Sequence, residues 1–229
     1  VKYADNKMVV DMFTESHGRV SFAVTVAKSS RGRLKKQLFQ PLSILEVVFD
    51  FRPNKALQRL TDVRMAQPLA LIMTDPYKLS VALFVAEFLT YATISEQQND
   101  TLFKYIVYSV EWLDSAQGSI ANFHVVFMLR LARFLGFSPN MDTFGRGAYF
   151  DLREGVFAPT RPMHSDVVEP AEAEAISTLM RLNYANMGHM SLSRNQRNRC
   201  LDLILKYYRL HVASFPELKS LDILRELFV

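Results

Sequence analysis

The chain has 229 residues, 49% of them hydrophobic, which supplies a sizeable core and excludes disorder as its dominant state. A single cysteine, Cys200, excludes an intramolecular disulfide and a cysteine zinc site, and points to a reducing, cytosolic setting. The formal charge of +4 is unevenly spread: residues 1–70 hold twelve Lys or Arg against six Asp or Glu, a net of +6, and the rest of the chain nets −2, as expected of a basic, nucleic-acid-facing module joined to a near-neutral one.

The chain starts at Val1, without an initiator Met, in a stretch that already reads as a strand. One or two residues, or a whole first strand, are therefore expected to precede it. Strand-like alternation follows in KMVVDMFTE (7–15), GRVSFAVTVA (18–27), SILEVVFDF (43–51) and LQRLTDVRMA (57–66). Ser16-His17-Gly18 predicts a hairpin turn between the first two, and Arg52-Pro53-Asn54 another between the last two. Four strands and a truncated first one fit a five-stranded barrel, and the OB-fold is the common nucleic-acid-binding barrel of that size. Between the second and third of the visible strands lies KSSRGRLKK (28–36), with five positive charges and no negative one. Each Lys or Arg that meets a phosphate releases a condensed counterion, so the segment suits an anionic polymer. It also has the composition of a solvated loop, and both readings stand at this point.

Beyond Pro68 the pattern becomes helical. Thr74-Asp75-Pro76 predicts a capped start for a helix to about Ile94. Asn99-Asp100 opens a second, with Leu102, Ile106, Val110 and Leu113 at helical spacing. Ser119 opens a third that ends at Gly136. Residues 137–169 read as irregular, punctuated by Gly145, Gly147, Gly155, Pro159 and Pro162. Three further helices are expected near 171–182, 193–212 and 218–228. The expected architecture is α+β and multidomain: an N-terminal OB-fold barrel over 1–70, then an all-α helical domain over 71–229 interrupted by the irregular segment. No apolar run approaches the roughly 20 residues of a membrane span, no secretory signal is visible, and no membrane partner is expected.

Enzyme signals are weak. The histidines His17, His124, His164, His189 and His211 lie far apart, and none pairs with another at metal-ligand spacing. His124 sits in an apolar helical run and reads as a core or boundary residue. Gly145-Arg146-Gly147 lacks the rest of any nucleotide fingerprint. Asp166, Glu169, Glu172 and Glu174 surround a helix start, where the macrodipole favours negative charge. Neither a catalytic residue nor a cofactor is expected.

The basic residues are more informative. Lys28, Arg31, Arg33, Lys35 and Lys36 are joined in the same module by Arg19, Arg52, Lys55 and Arg59, with Arg52 and Lys55 flanking a turn at the barrel rim. These nine are the candidate DNA contacts. Neutralising four phosphates of a single strand would give a slope of log affinity against log salt of about −3. Phe13, Phe22, Phe49 and Phe51 offer rings for base stacking, but alternation places Leu45, Val47, Phe49 and Phe51 on one face, the core face, so phosphate contacts are expected instead. A second basic group, Arg194, Arg197, Arg199, Lys206 and Arg209, flanks the apolar stripe Leu201, Ile204, Leu205 and Tyr208. It is either a solvated face or a docking surface for DNA or an acidic peptide. Arg197, Lys206 and Arg209 are its candidate partner-binding residues.

Essentially end to end, the chain resembles the RecO family of bacterial recombination mediators in DNA repair. The similarity lies in GRVSFAV, in the basic segment followed by LFQPLSILE, in PYKLSVALFVAEFL (76–89), ANFHVVFMLRLARFLGFSPN (121–140) and FDLREGVF (150–157), and in the ending YYRLHV…LKSLDILREL (207–227). It looks closest to the form found in Bacteroidetes-like bacteria. The resemblance implies an N-terminal OB-fold binding single- and double-stranded DNA, with residues 28–36 as the DNA-binding basic segment. It implies annealing of complementary strands without ATP and, with RecR, loading of RecA onto DNA coated by single-strand binding protein. It also implies contact with that protein's acidic, hydrophobic C-terminal tail, in a cytoplasmic, nucleoid-associated setting. Many family members hold zinc with four cysteines in the segment equivalent to 137–169. This chain has none there, so no zinc is expected, and Phe144, Tyr149, Phe150 and Phe157 are expected to pack that segment instead.

Two further function classes stand beside the DNA-binding mediator. One is an interaction scaffold whose basic loop docks an acidic peptide. The other, a hydrolase or nuclease, is disfavoured by the lack of clustered acid or histidine motifs.

Overall fold

The structure is a computed structural model that describes residues 2–4 (backbone only), 7–26 and 36–227. The chain divides into two compact units, Val1–Asp114 and Ser115–Val229, in an α+β architecture whose first five strands precede a mainly helical remainder.

In the first unit, β1 (Lys2–Ala4), β2 (Lys7–Thr14), β3 (Gly18–Thr25), β4 (Ile44–Phe49) and β5 (Gln58–Gln67) form a five-stranded sheet in the order β1-β2-β3-β5-β4. β3 and β5 run parallel and the other neighbours antiparallel, the strand order of an OB-fold. The first of the five strands is short, Lys2–Ala4. Alternation on β3 turns Val20, Phe22 and Val24 into a core completed by Leu60, with Met8, Val10, Met12, Val47 and Phe49 packed around it. On β5 the inward residues step from Leu60 to Val63 rather than by two. The pairs Val48↔Asp62 and Phe49↔Leu60 leave Thr61 as an extra residue, a bulge that keeps Leu60 and Val63, on either side of it, turned inward.

The same unit holds α1 (Ala70–Thr74), α2 (Pro76–Ala92) and α3 (Asp100–Ser115), the last reaching the unit boundary. Asp75 caps α2 by accepting from the Tyr77 and Lys78 N–H groups at 2.8 and 3.2 Å, with Pro76 in the first turn. Asn99 accepts from the Leu102 N–H at 3.0 Å.

The second unit holds α4 (Phe123–Phe134), α5 (Pro170–Met180), α6 (Arg194–His211) and α7 (Leu221–Leu227). α4 starts at Phe123, later than the Ser119 suggested by the sequence, because residues 121 and 122 make a turn ahead of it, closed by the Phe123 N–H on Ile120 O at 3.0 Å. It ends as expected: Gly136 takes φ +84° and the Phe137 N–H returns to Ala132 O at 3.1 Å. A capping box of Ser193 and Gln196 opens α6. The segment that reads as irregular carries a small antiparallel sheet, β6 (Tyr149–Asp151), β7 (Val156–Ala158) and β8 (Val167–Val168), in the order β7-β6-β8. Its core unites Phe150, Leu152, Phe157 and Val168 with Ala173, Ile176, Leu203 and Tyr207, and Phe144 packs against it. Tyr149 is only half-buried at its edge.

Candidate nucleic-acid interface

The loop between β4 and β5 is built around one buried side chain. Gln58, 4% exposed, occupies an inward position of β5 where alternation calls for an apolar residue. Its Oε1 accepts from the Arg52 N–H at 2.9 Å, and its Nε2 donates to the carbonyls of Arg52 (2.9 Å) and Lys55 (2.7 Å). The Lys55 N–H closes the turn onto Arg52 O at 3.0 Å. The loop is therefore held from inside by an amide whose donors and acceptor are all used. Its two cations, Arg52 and Lys55, stand exposed. Asp50 lies 3.6 Å from the Arg52 guanidinium, both well exposed, a contact worth little in water. Arg59 is exposed on β5, paired in register with Ala23 of β3.

Other sequence candidates are placed differently. Lys36 is exposed at the start of a short 3-10 helix, Lys36–Phe39, whereas Lys28, Arg31, Arg33 and Lys35 lie outside the described residues. Arg19 is turned inward: its guanidinium pairs with Asp11 at 3.3 Å and donates to the Thr90 carbonyl of α2. It ties strand to helix. Arg64, not among the candidates, is exposed and bound bidentately to Glu46 at 2.9 and 2.6 Å, and this bond holds the Glu46 carboxyl below its usual range.

The second basic group splits in the same way. Arg197 is buried, its guanidinium donating to Asn122 Oδ1 (3.3 Å) and Leu192 O (2.9 Å), while Asn122 donates to the carbonyls of Met187 and Met190. It fixes the 187–192 segment. Arg199 bonds Glu172 and Lys206 pairs with Asp166 at 2.9 Å; each bond lowers the carboxyl's pKa, Arg153 assisting at Asp166. Lys206 and Arg209 nevertheless line a groove of about 400 Å³ between α6 and α7. Leu203, Leu218 and Leu221 line its apolar part, and Glu217 lines it together with Arg225, which bridges Asp202 and Asp222 within the same groove.

Among the described residues no group of three or more His, Cys, Asp or Glu is arranged to hold a metal ion. His164 accepts the Asp166 N–H at Nδ1 (3.2 Å) and therefore donates from Nε2 to Asp151 (3.1 Å). This pair clasps the small sheet. Cys200 is buried and its thiol is pushed up by that burial, away from the reactive thiolate. No helix of the described residues is long and apolar enough to cross a membrane.

Comparison with known proteins gives the family. The family model described as "Recombination protein O N terminal" matches residues 1–69, and "Recombination protein O C terminal" matches residues 73–222. "DNA repair protein RecO" of Bacteroides fragilis is 46% identical over 229 residues, covering all of this chain and 95% of that protein. The protein of the same name from Phocaeicola vulgatus is 44% identical over 228 residues, with the same coverage. That of Porphyromonas gingivalis is 31% identical over 231 residues, covering 99% of this chain and 94% of its own length.

Proposed function

We propose that this chain, which belongs to the RecO family of DNA repair proteins, is a non-catalytic DNA-binding mediator of recombination. The observation that carries the reading is the Gln58-braced loop, which presents Arg52 and Lys55 to solvent on a strand module of net charge +6. OB-folds bind oligonucleotides through loops of this kind. Residues 1–70 act as the DNA-binding module, for single and double strands, and residues 71–229 recruit partners. Lys28, Arg31, Arg33, Lys35, Lys36 and Arg59 act as further phosphate contacts. Arg19 acts beneath it, orienting the strand pair rather than touching phosphate.

The mechanism is electrostatic. Cations that replace condensed counterions on two backbones reduce their mutual repulsion, so that complementary strands meet and pair without ATP. With RecR, the protein loads RecA onto DNA coated by single-strand binding protein, working in the cytoplasm at the nucleoid. The acidic, hydrophobic tail of that coat protein enters the groove between α6 and α7. Its apolar residues rest on Leu203, Leu218 and Leu221 and its carboxylates meet Lys206 and Arg209, while Arg197 supports the helix from inside. Annealing of complementary oligonucleotides coated with single-strand binding protein, in the absence of ATP, tests this. Acceleration over the uncatalysed rate is expected, and no acceleration would refute it.

A further inference from the structure

We propose that His17 and Phe51 form a base-stacking step for single-stranded DNA beside the β4–β5 loop, an inference that rests on the DNA-binding reading above. An aromatic run leads from the core of the strand module to its surface. Phe22, fully buried on β3, meets Phe49 edge-on at 4.9 Å between centroids. Phe49 meets His17 at 5.5 Å, and His17 lies tilted against Phe51 at 4.2 Å. The two outer rings are exposed, Phe51 by 41%, against the core-face position that alternation predicts for it, because β4 ends at Phe49 and the strand period stops there. Rings backed by other rings offer solvent a broad apolar face, which the π-face of a base of any identity covers well.

The turn that carries His17 is fixed before any ligand arrives. The Thr14 hydroxyl donates to Gly18 O (2.9 Å) and accepts from the His17 N–H (3.1 Å). Ser16 Oγ sits 2.7 Å from His17 Nδ1. Gly18 takes φ +62°, and a Cβ there would stand 2.3 Å from the carbonyl carbon of Gln97. The turn is thus pressed against the loop that follows α2, where the Arg19 N–H donates to Glu96 O at 3.2 Å. Phe51 immediately precedes Arg52, so ring and cation share the Gln58-braced loop. A pre-formed platform loses little freedom on binding. A strand whose phosphates meet Arg52 and Lys55 has a base within reach of Phe51. A duplex keeps its bases stacked inside and cannot use the step, so the platform favours single strands.

The test measures affinity for oligothymidylate and for a duplex of equal length in wild type, Phe51→Ala, His17→Ala and Phe51→Trp. Phe51→Ala is expected to weaken single-strand binding by roughly 5- to 100-fold. Duplex affinity and the salt slope stay unchanged, because stacking releases no counterion. Phe51→Trp keeps the affinity, and oligothymidylate quenches its indole beyond any change from Trp112 in the wild type. Equal losses on both strand forms, or no single-strand loss in a protein that still binds DNA, overturn the step and leave DNA binding standing. A wild type that binds neither form overturns both.

Discussion

Replacing Gln58 with Ala removes the three hydrogen bonds that shape the loop carrying Arg52 and Lys55. Each bond of this kind contributes about 0.5–1.5 kcal/mol net, so the ceiling is about 4.5 kcal/mol. The backbone groups released belong to exposed residues that water can solvate, which brings the expected loss to about 2 kcal/mol. For a chain of this length that lowers Tm by roughly 4–8 °C. Hydrogen exchange reads the same event locally. The Arg52 N–H, donated to Gln58 at 2.9 Å, and the Lys55 N–H, donated to Arg52 O at 3.0 Å, should lose protection, while the amides of β3 keep theirs. In binding, a loop that no longer holds its two cations forfeits up to two phosphate contacts, so the single-strand salt slope becomes shallower by about 1.4. Unchanged protection at Arg52 would refute the brace. Lost protection with an unchanged slope would refute the assignment of this loop to DNA.

Gly18→Ala combines a positive φ with a Cβ 2.3 Å from the Gln97 backbone, so a loss of about 3 kcal/mol is expected, visible as a lower Tm; a wild-type melting curve would contradict the close approach. Burial, with the charge of Arg197 second, pushes His124 down to about 3. Between about pH 6.5 and 3 the unfolded chain binds a proton that the folded one does not, so stability falls as pH falls, by about 2 kcal/mol between pH 8 and pH 5. His124→Leu should remove that slope whatever it does to absolute stability, and urea unfolding across pH checks it. Elemental analysis should return no stoichiometric zinc, and a chelator should leave Tm unchanged, because the 137–169 segment is held by Phe150, Leu152, Phe157 and Val168; one zinc per chain would sink this account.

Much of the fold was legible in the residues because the signals were local. β3 alternates without a break, so its inward and outward faces could be read directly. Asp75-Pro76 and Asn99 announced α2 and α3 through side chains that cap within three residues. The small sheet escaped notice because strands of two or three residues are too short to show a period. The candidate site was half legible. Arg19 and Arg197 have the composition of a surface charge, but their partners Thr90 and Asn122 lie 71 and 75 residues away. For Arg197 a signal existed: it precedes Leu201 by four residues and so continues the apolar stripe through Leu205 and Tyr208. Gln58 had one too, as a polar residue at an inward strand position.

The central claim is that a cationic strand module binds DNA through its phosphates. A salt titration of single-stranded oligonucleotide binding, comparing wild type with the Lys35→Glu, Lys36→Glu double variant, tests it most directly. The account predicts a wild-type slope of log affinity against log salt of about −3, with weaker binding and a shallower slope in the variant. An affinity and slope that both survive the double charge reversal would contradict it.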